Sequence, residues 1–362
     1  MVKNHSVSFL KVILIIMVIV LHYFNANMGG LFGEVTSTEL NFYISNFIES
    51  FCIIAVDCFV LVTGFFMYKR NSIKFSKVIK LILTLFILVF FVYILIYIFC
   101  DLNLSLKNII SMYLNNVLKD SSWYVWVYCA LYLLIPYINE LIRSLSDKNL
   151  KYLILTLIIL FSVFPMVLTD VIIKDRDYGI VNFIMLYIIG AYIGKNFKKL
   201  KKKKMSLYVL IYLVCSLVTF LLSISSISYL SSKAYLYNST FNIIGAISFL
   251  CIFLKLNIKE NKFFNYISRY TLSIYILHTL IILYQIMWKG LFKCDIFYHS
   301  NYMFCHMIFS VCCIFILCLT VSIILDNLIL KNIFKLIDRI KLFNLSITVD
   351  KDVNNKDDTI TT

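Results

Sequence analysis

The 362-residue chain contains two prolines and nine glycines, and its 19 acidic residues are outnumbered by 34 Lys and Arg. With so few breakers, long uninterrupted helices are open to it, while a turn-rich sandwich or a collagen-like fibre is excluded. Charged residues make up 15% of the chain and hydrophobic ones 61%. Too little polar surface remains to cover a soluble domain of this length. The sequence also lacks a Walker phosphate loop, a Gly-rich dinucleotide fingerprint, a GxSxG nucleophile motif and any detectable internal repeat. Soluble nucleotide-binding and serine-hydrolase designs therefore do not apply. Of eleven cysteines, most, such as Cys58, Cys251, Cys312, Cys313 and Cys318, fall inside apolar runs without metal-ligand spacing. They read as small hydrophobes, and no metal and no disulfide is assigned, although sequence leaves a pairing of Cys100 with Cys294 open.

What the chain has in abundance is apolar runs of the ~20 residues a bilayer demands. They can be placed near 7–28, 43–68, 75–100, 124–142, 150–170, 180–197, 205–227, 239–256, 270–291 and 303–330. The first is too long for a signal-peptide core and is kept as a spanning helix. The expectation is an all-α polytopic membrane helix bundle of about ten transmembrane helices. Residues 1–341 form the membrane domain, and 342–362 a polar, disordered cytoplasmic tail.

Net charge is +15, which in a soluble protein would suggest nucleic acid. Here the positions of the cations matter instead, and no nucleic-acid partner is expected. Lys69, Arg70 and Lys74 follow the second run, Arg143, Lys148 and Lys151 the fourth, and Lys255, Lys259, Lys262 and Arg269 the eighth. After the sixth comes a block from Lys195 to Lys204 with seven lysines in ten residues, which reads as a topology anchor beside anionic lipid. Assigning these loops to the cytoplasm puts both termini inside and requires an even number of spans.

Several polar residues interrupt the apolar runs. Lys11 and His22 stand on the first run eleven positions apart, about three turns, so both leave one face roughly 16 Å apart along the axis. Ionisable groups in a spanning helix cost about 2.5–3.5 kcal/mol each on insertion scales and usually face a bundle interior or a wet cavity. Interfacial snorkelling of Lys11 and an interfacial place for His22 are the competing explanation. Asp57 lies deep in the second run and requires a partner, either a cation such as Lys11 or a catalytic group that it orients. Gly64 permits close approach of another helix. Lys77 and Lys80 share a face at the start of the third run, where they either anchor the helix or hold phosphates. Trp123 and Tyr124 open the fourth run as part of an aromatic belt or a sugar-stacking surface. Pro136 should kink that run, and His278 in the ninth is either a packed, hydrogen-bonded histidine or a functional one.

Taken together, these blocks resemble the acyltransferase 3 family of integral membrane O-acyltransferases, and more narrowly the O-acetyltransferases of bacterial capsule and cell-surface polysaccharides. The carriers are Lys11 with His22, the run from Val56 through Asp57, Thr63 and Gly64 to Met67, the pair Lys77 and Lys80, Trp123 and Tyr124 through Pro136, and Tyr275 to His278. Lysine stands where the family commonly has arginine at 11, 77 and 80, which keeps charge but loses bidentate geometry. The resemblance implies no permanently bound cofactor. It implies acetyl-CoA or another acyl-CoA as co-substrate, held by Lys11, Arg70, Lys77 and Lys80. His22 would be catalytic, Asp57 and His278 would support or orient, and Trp123 and Tyr124 would bind the glycan acceptor. The expected location is a bacterial cytoplasmic membrane, with the lipid bilayer, acyl-CoA and a glycan as partners. A transporter or flippase of a glycan-related or small anionic substrate, or a non-catalytic membrane module, is the alternative.

Overall fold

The computed structural model describes residues 5–99, 105–118, 122–168, 177–280 and 283–349; Cys100 lies outside them, and Cys294 is a buried free thiol. Within them the chain is a bundle of α-helices with a single pair of three-residue strands. In chain order the helices are α1 (His5–Phe24), α2 (Leu40–Cys52), α3 (Ala55–Met67), α4 (Phe75–Phe99), α5 (Leu106–Leu118), α6 (Trp123–Ser144), α7 (Asp147–Ile158), α8 (Phe164–Val167), α9 (Ile180–Lys195), α10 (Phe197–Lys201), α11 (Met205–Ser223), α12 (Ser228–Ala234), α13 (Thr240–Lys255), α14 (Lys262–Ile267), α15 (Thr271–His278), α16 (Met303–Leu325) and α17 (Lys331–Arg339).

Among the described residues, seven helical stretches are long and apolar enough to cross a bilayer, and α9 and α13 are shorter apolar helices. α2 and α3 count as one stretch, jointed at Ile53 and Ile54. The stretch expected at 270–291 is interrupted. Thr279 ends α15 by turning its hydroxyl back on the carbonyls of Tyr275 and Ile276, and its own carbonyl accepts the Tyr284 hydroxyl. α5 lies in what sequence read as a loop, because Ile109, Met112 and Tyr113 on one face pack against the core while its other face stays polar or exposed.

The closest helix packing is between α3 and α9, and glycine on both sides makes it possible. A Cβ on Gly64 would collide with the carbonyl oxygen of Tyr187, and one on Gly190 with that of Leu61. Backbones that approach this closely exchange dispersion contacts that larger side chains would forbid. α1 threads the middle of the bundle against α2, α3, α15 and α16, which explains why thirteen of its twenty residues are buried.

Polar contacts gather the basic loops at one end. Arg143 at the end of α6 bonds Asn71, Lys195 meets Asp147 and the Leu145 carbonyl, and Lys255 donates to the carbonyls of Lys201 and Lys203. Ser6 bonds the Leu256 carbonyl, bringing the start of α1 to the same end. The tail joins it too. Residues 342–349, the described part of the expected tail 342–362, reach that end because strand β2 (Ser346–Thr348) pairs antiparallel with β1 (Ser72–Lys74), Ile347 opposite the buried Ile73; 350–362 lie outside the described residues. At the opposite end Tyr298 bonds the Gly29 carbonyl, Asn41 donates to the carbonyls of Tyr298 and Ser300, and His299 pairs with Glu39.

Candidate active site

The polar stripe of α1 continues as Lys11, Ile15 and Val18, each about one turn from the next, and these three line a cavity of about 340 Å³. His22 is the next member of the stripe. α3 contributes Val56, Phe59 and Thr63 to the wall, α4 Lys77 and Leu81, and α6 Tyr124 and Tyr128. The segment entering α15 closes it with Ser268 and Arg269, and α15 itself adds Thr271, Leu272 and Tyr275. Thr63 and Tyr128 hydroxyls stand 3.4 Å apart on that wall. The lining is thus apolar along its length, with hydroxyls spaced between cations, and suits a narrow amphiphilic arm.

The two membrane histidines meet. The rings of His22 and His278 lie 4.9 Å apart between centroids, tilted by 42°. His278 Nδ1 lies 2.6 Å from the Ile274 carbonyl, an oxygen that only accepts, so Nδ1 carries the proton. In the neutral ring Nε2 then keeps its lone pair, and that atom is buried without a hydrogen-bond partner, as is His22 Nδ1. Unpaired buried nitrogens are costly and stand out at a site built for something else to occupy. Tyr275, whose ring centroid is 6.1 Å from that of His278, and Tyr124, 5.5 Å from Tyr275, carry the cavity wall toward the pair.

At its other end the cavity adjoins a larger one of about 910 Å³, with which it shares Lys11, Thr63, Lys77 and Tyr128. This second space collects Arg70, Lys74 and Lys80 in addition, so five cations face it against one carboxylate, Asp338. Lys80 is engaged: its Nζ lies 2.6 and 2.7 Å from the two Asp338 oxygens and 5.5 Å from the Phe334 ring. Lys77 Nζ lies 5.0 Å from the centre of the Tyr132 ring and has no acidic partner among the described residues. Asn344, held by its amide on the Asp338 carbonyl, completes the wall.

Lys11, Arg70, Lys77 and Lys80, expected together, are together. Asp57 does not pair with Lys11. It lies in the first turn of α3, six residues and about 9 Å of helix rise from Thr63, which is the α3 residue sharing both cavities with Lys11. Its carboxylate is fully buried and neither oxygen has a hydrogen-bond partner. The free N–H groups of the α3 start supply partial positive charge there. Tyr124 faces the cavity, whereas Trp123 does not line either one; it is packed in a nest with Tyr178, Phe183 and Tyr237. Sequence reasoning did not single out Lys74, Tyr128, Arg269, Asp338 or Asn344 for the site. Only Lys74 and Arg269 carried a signal, as members of basic loops, because the rest become neighbours through tertiary contacts.

No curated protein and no solved structure matches the chain. The family model described as an acyltransferase domain matches residues 4–326, which include His22 and His278, the α1, α3, α4 and α6 walls of both cavities, the α15 wall of the smaller one and every membrane helix up to α16, and the chain therefore belongs to the acyltransferase 3 family of membrane acyltransferases.

Proposed function

We propose that the protein is an O-acyltransferase that takes an acyl group, acetyl in the simplest case, from acyl-CoA at the basic end. It passes that group to a hydroxyl of a cell-surface or capsular glycan, or of its lipid-linked precursor, at the histidine end. The observation that carries the reading is the α1 stripe, on which Lys11 faces the five-cation cavity, Ile15 and Val18 line the narrower one, and His22 follows one turn further on against His278. Diphosphate and ribose phosphate suit the five-cation cavity, and a pantetheine arm suits the narrower one leading from it. The span from Lys11 to His22, about 16 Å, matches an extended arm that puts a thioester within reach of the imidazoles.

His22 serves as general base in this scheme. The acceptor hydroxyl gives its proton to His22 as its oxygen attacks the thioester carbonyl. The tetrahedral intermediate collapses with cleavage of the C–S bond, and the leaving thiolate takes that proton, giving ester and free CoA. His278, with its Nδ1–H committed to Ile274, packs its ring against that of His22 and so positions it. Asp57, remote from the α1 cations, supports the start of α3 rather than the donor. The acceptor approaches by Tyr124, with Trp123 bracing that wall from behind.

The experiment is NMR of surface glycan from cells expressing each variant, with the protein quantified in membranes. His22→Ala should abolish O-acetyl signals at undiminished abundance. Normal acetylation in that variant removes the catalytic reading. His278→Gln should lower the rate by 10- to 100-fold without loss of acetyl-CoA binding; an equal loss of both would make it a folding residue instead.

A further inference from the structure

A third cavity, of about 470 Å³, opens between the start of α7 and the ends of α9 and α10. It shares no residue with the two that hold the α1 stripe. Lys148 and Lys151 border it from α7, and Lys199 and Lys203 from α10 and the turn beyond. Its floor is uncharged, made by Tyr192, Asn196 and Leu200. The one acid present, Asp147, is already engaged by Lys195 at 3.0 Å and Lys199 at 3.8 Å. Lys148, Lys151 and Lys203 have no acidic partner among the described residues.

The lysine block is also more than a charged tail. Lys255 donates to the carbonyls of Lys201 and Lys203, and the Tyr208 hydroxyl donates to that of Leu200, so the backbone carrying these cations is tied to α11 and α13. A preformed anion cradle results, and it loses little entropy on binding. Beside it, α7 turns Tyr152 and Leu155 outward, and Ile159 just past its end is exposed too. Anionic head and apolar body are thus served side by side.

We propose that this cavity binds the phosphodiester headgroup of an anionic phospholipid, with the acyl chains lying along α7. Basic pockets between membrane helices recognise such headgroups, each lysine near the surface contributing about fivefold in affinity. The proposal stands apart from the acyl-transfer reading and survives its failure.

The test titrates the purified full chain in detergent, by native mass spectrometry, with dioleoyl phosphatidylglycerol, dioleoyl phosphatidylcholine and inorganic phosphate in separate arms. Phosphatidylglycerol should bind at least tenfold tighter than phosphatidylcholine. The double variant Lys151→Gln with Lys203→Gln should weaken it about 25-fold. Lys198→Gln with Lys202→Gln, in the same block but outside the cavity, should change it less than threefold, and Lys151→Arg with Lys203→Arg should retain it. Equal losses in the two glutamine pairs would reduce the site to diffuse surface charge and overturn the proposal. Phosphate that binds with the same lysine dependence, with no gain for phosphatidylglycerol over it, would make this a free-phosphate site and overturn the lipid assignment.

Discussion

Asp338 occupies the position on Lys80 that a donor phosphate would need. Both carboxylate oxygens contact Nζ, and the two side chains are 24% and 56% exposed. Ion pairs of that exposure are worth about 0.2–1 kcal/mol. An incoming polyanion must displace this contact, so Asp338→Asn removes the competitor and should tighten acetyl-CoA by about 1.4- to 5-fold. The remaining cations around the cavity then act unopposed, and the gain should shrink in 0.5 M salt, where the screening length falls to about half its value at 0.1 M. Isothermal titration calorimetry of acetyl-CoA into purified protein measures it. Lys80→Gln should weaken binding, and Lys80→Gln with Asp338→Asn should match Lys80→Gln alone, because the carboxylate acts through that lysine. An unchanged or weaker affinity in Asp338→Asn, with the protein folded, would refute the reasoning and take Lys80 out of the donor's path.

Gly64→Ala and Gly190→Ala each force a methyl into a facing carbonyl, and should destabilise the bundle by roughly 1–3 kcal/mol or more in a reversible-unfolding assay. Lys77→Glu with Lys80→Glu should abolish acetyl-CoA binding in the same calorimeter, with thermal stability lowered only by the small amount that losing the Lys80–Asp338 pair costs. At the opposite end, Glu39 accepts hydrogen bonds from His299 and from the Thr36 amide, which hold its carboxyl below the usual carboxylate value. A depressed carboxyl contributes stability above its unfolded pKa and loses it as pH falls through the folded one. Hydrogen exchange in 298–302, corrected for the intrinsic rate, should therefore stay protected near neutrality and lose protection only as the pH falls below the usual carboxylate range, and Glu39→Gln should show the lower protection throughout.

The α1 stripe was legible because helical periodicity is local: Lys11 and His22 need only a count of residues to be placed on one face, and Lys11, Ile15 and Val18 line one cavity. Order along the chain likewise brought out the Lys77 and Lys80 pair. Of the two partners open to Asp57, Lys11 is excluded only by the fold, because sequence gives the depth of Asp57 in α3 but not the stagger of α3 against α1. Trp123 and Tyr124 are adjacent, hence about 100° apart on α6, so only one of them can face the cavity; which one depends on where α9 and the turn at Tyr237 pack. Asp338 and Asn344 reach the site through β2, and no periodicity in a short polar segment announces a strand partner some 270 residues earlier. α5 escaped notice because its apolar face is too short to resemble a span.

The segment that leads into strand β2 follows the α1–α16 helices in chain order, yet through Asp338 and Asn344 it supplies a wall to a cavity whose other sides come from α1, α3, β1, α4 and α6. A nascent chain that has inserted all its helices therefore still has an open vestibule. The residues responsible, 331–348, lie beyond the family-matched segment. The last wall of the larger cavity thus belongs to a part of this chain that the family match does not cover.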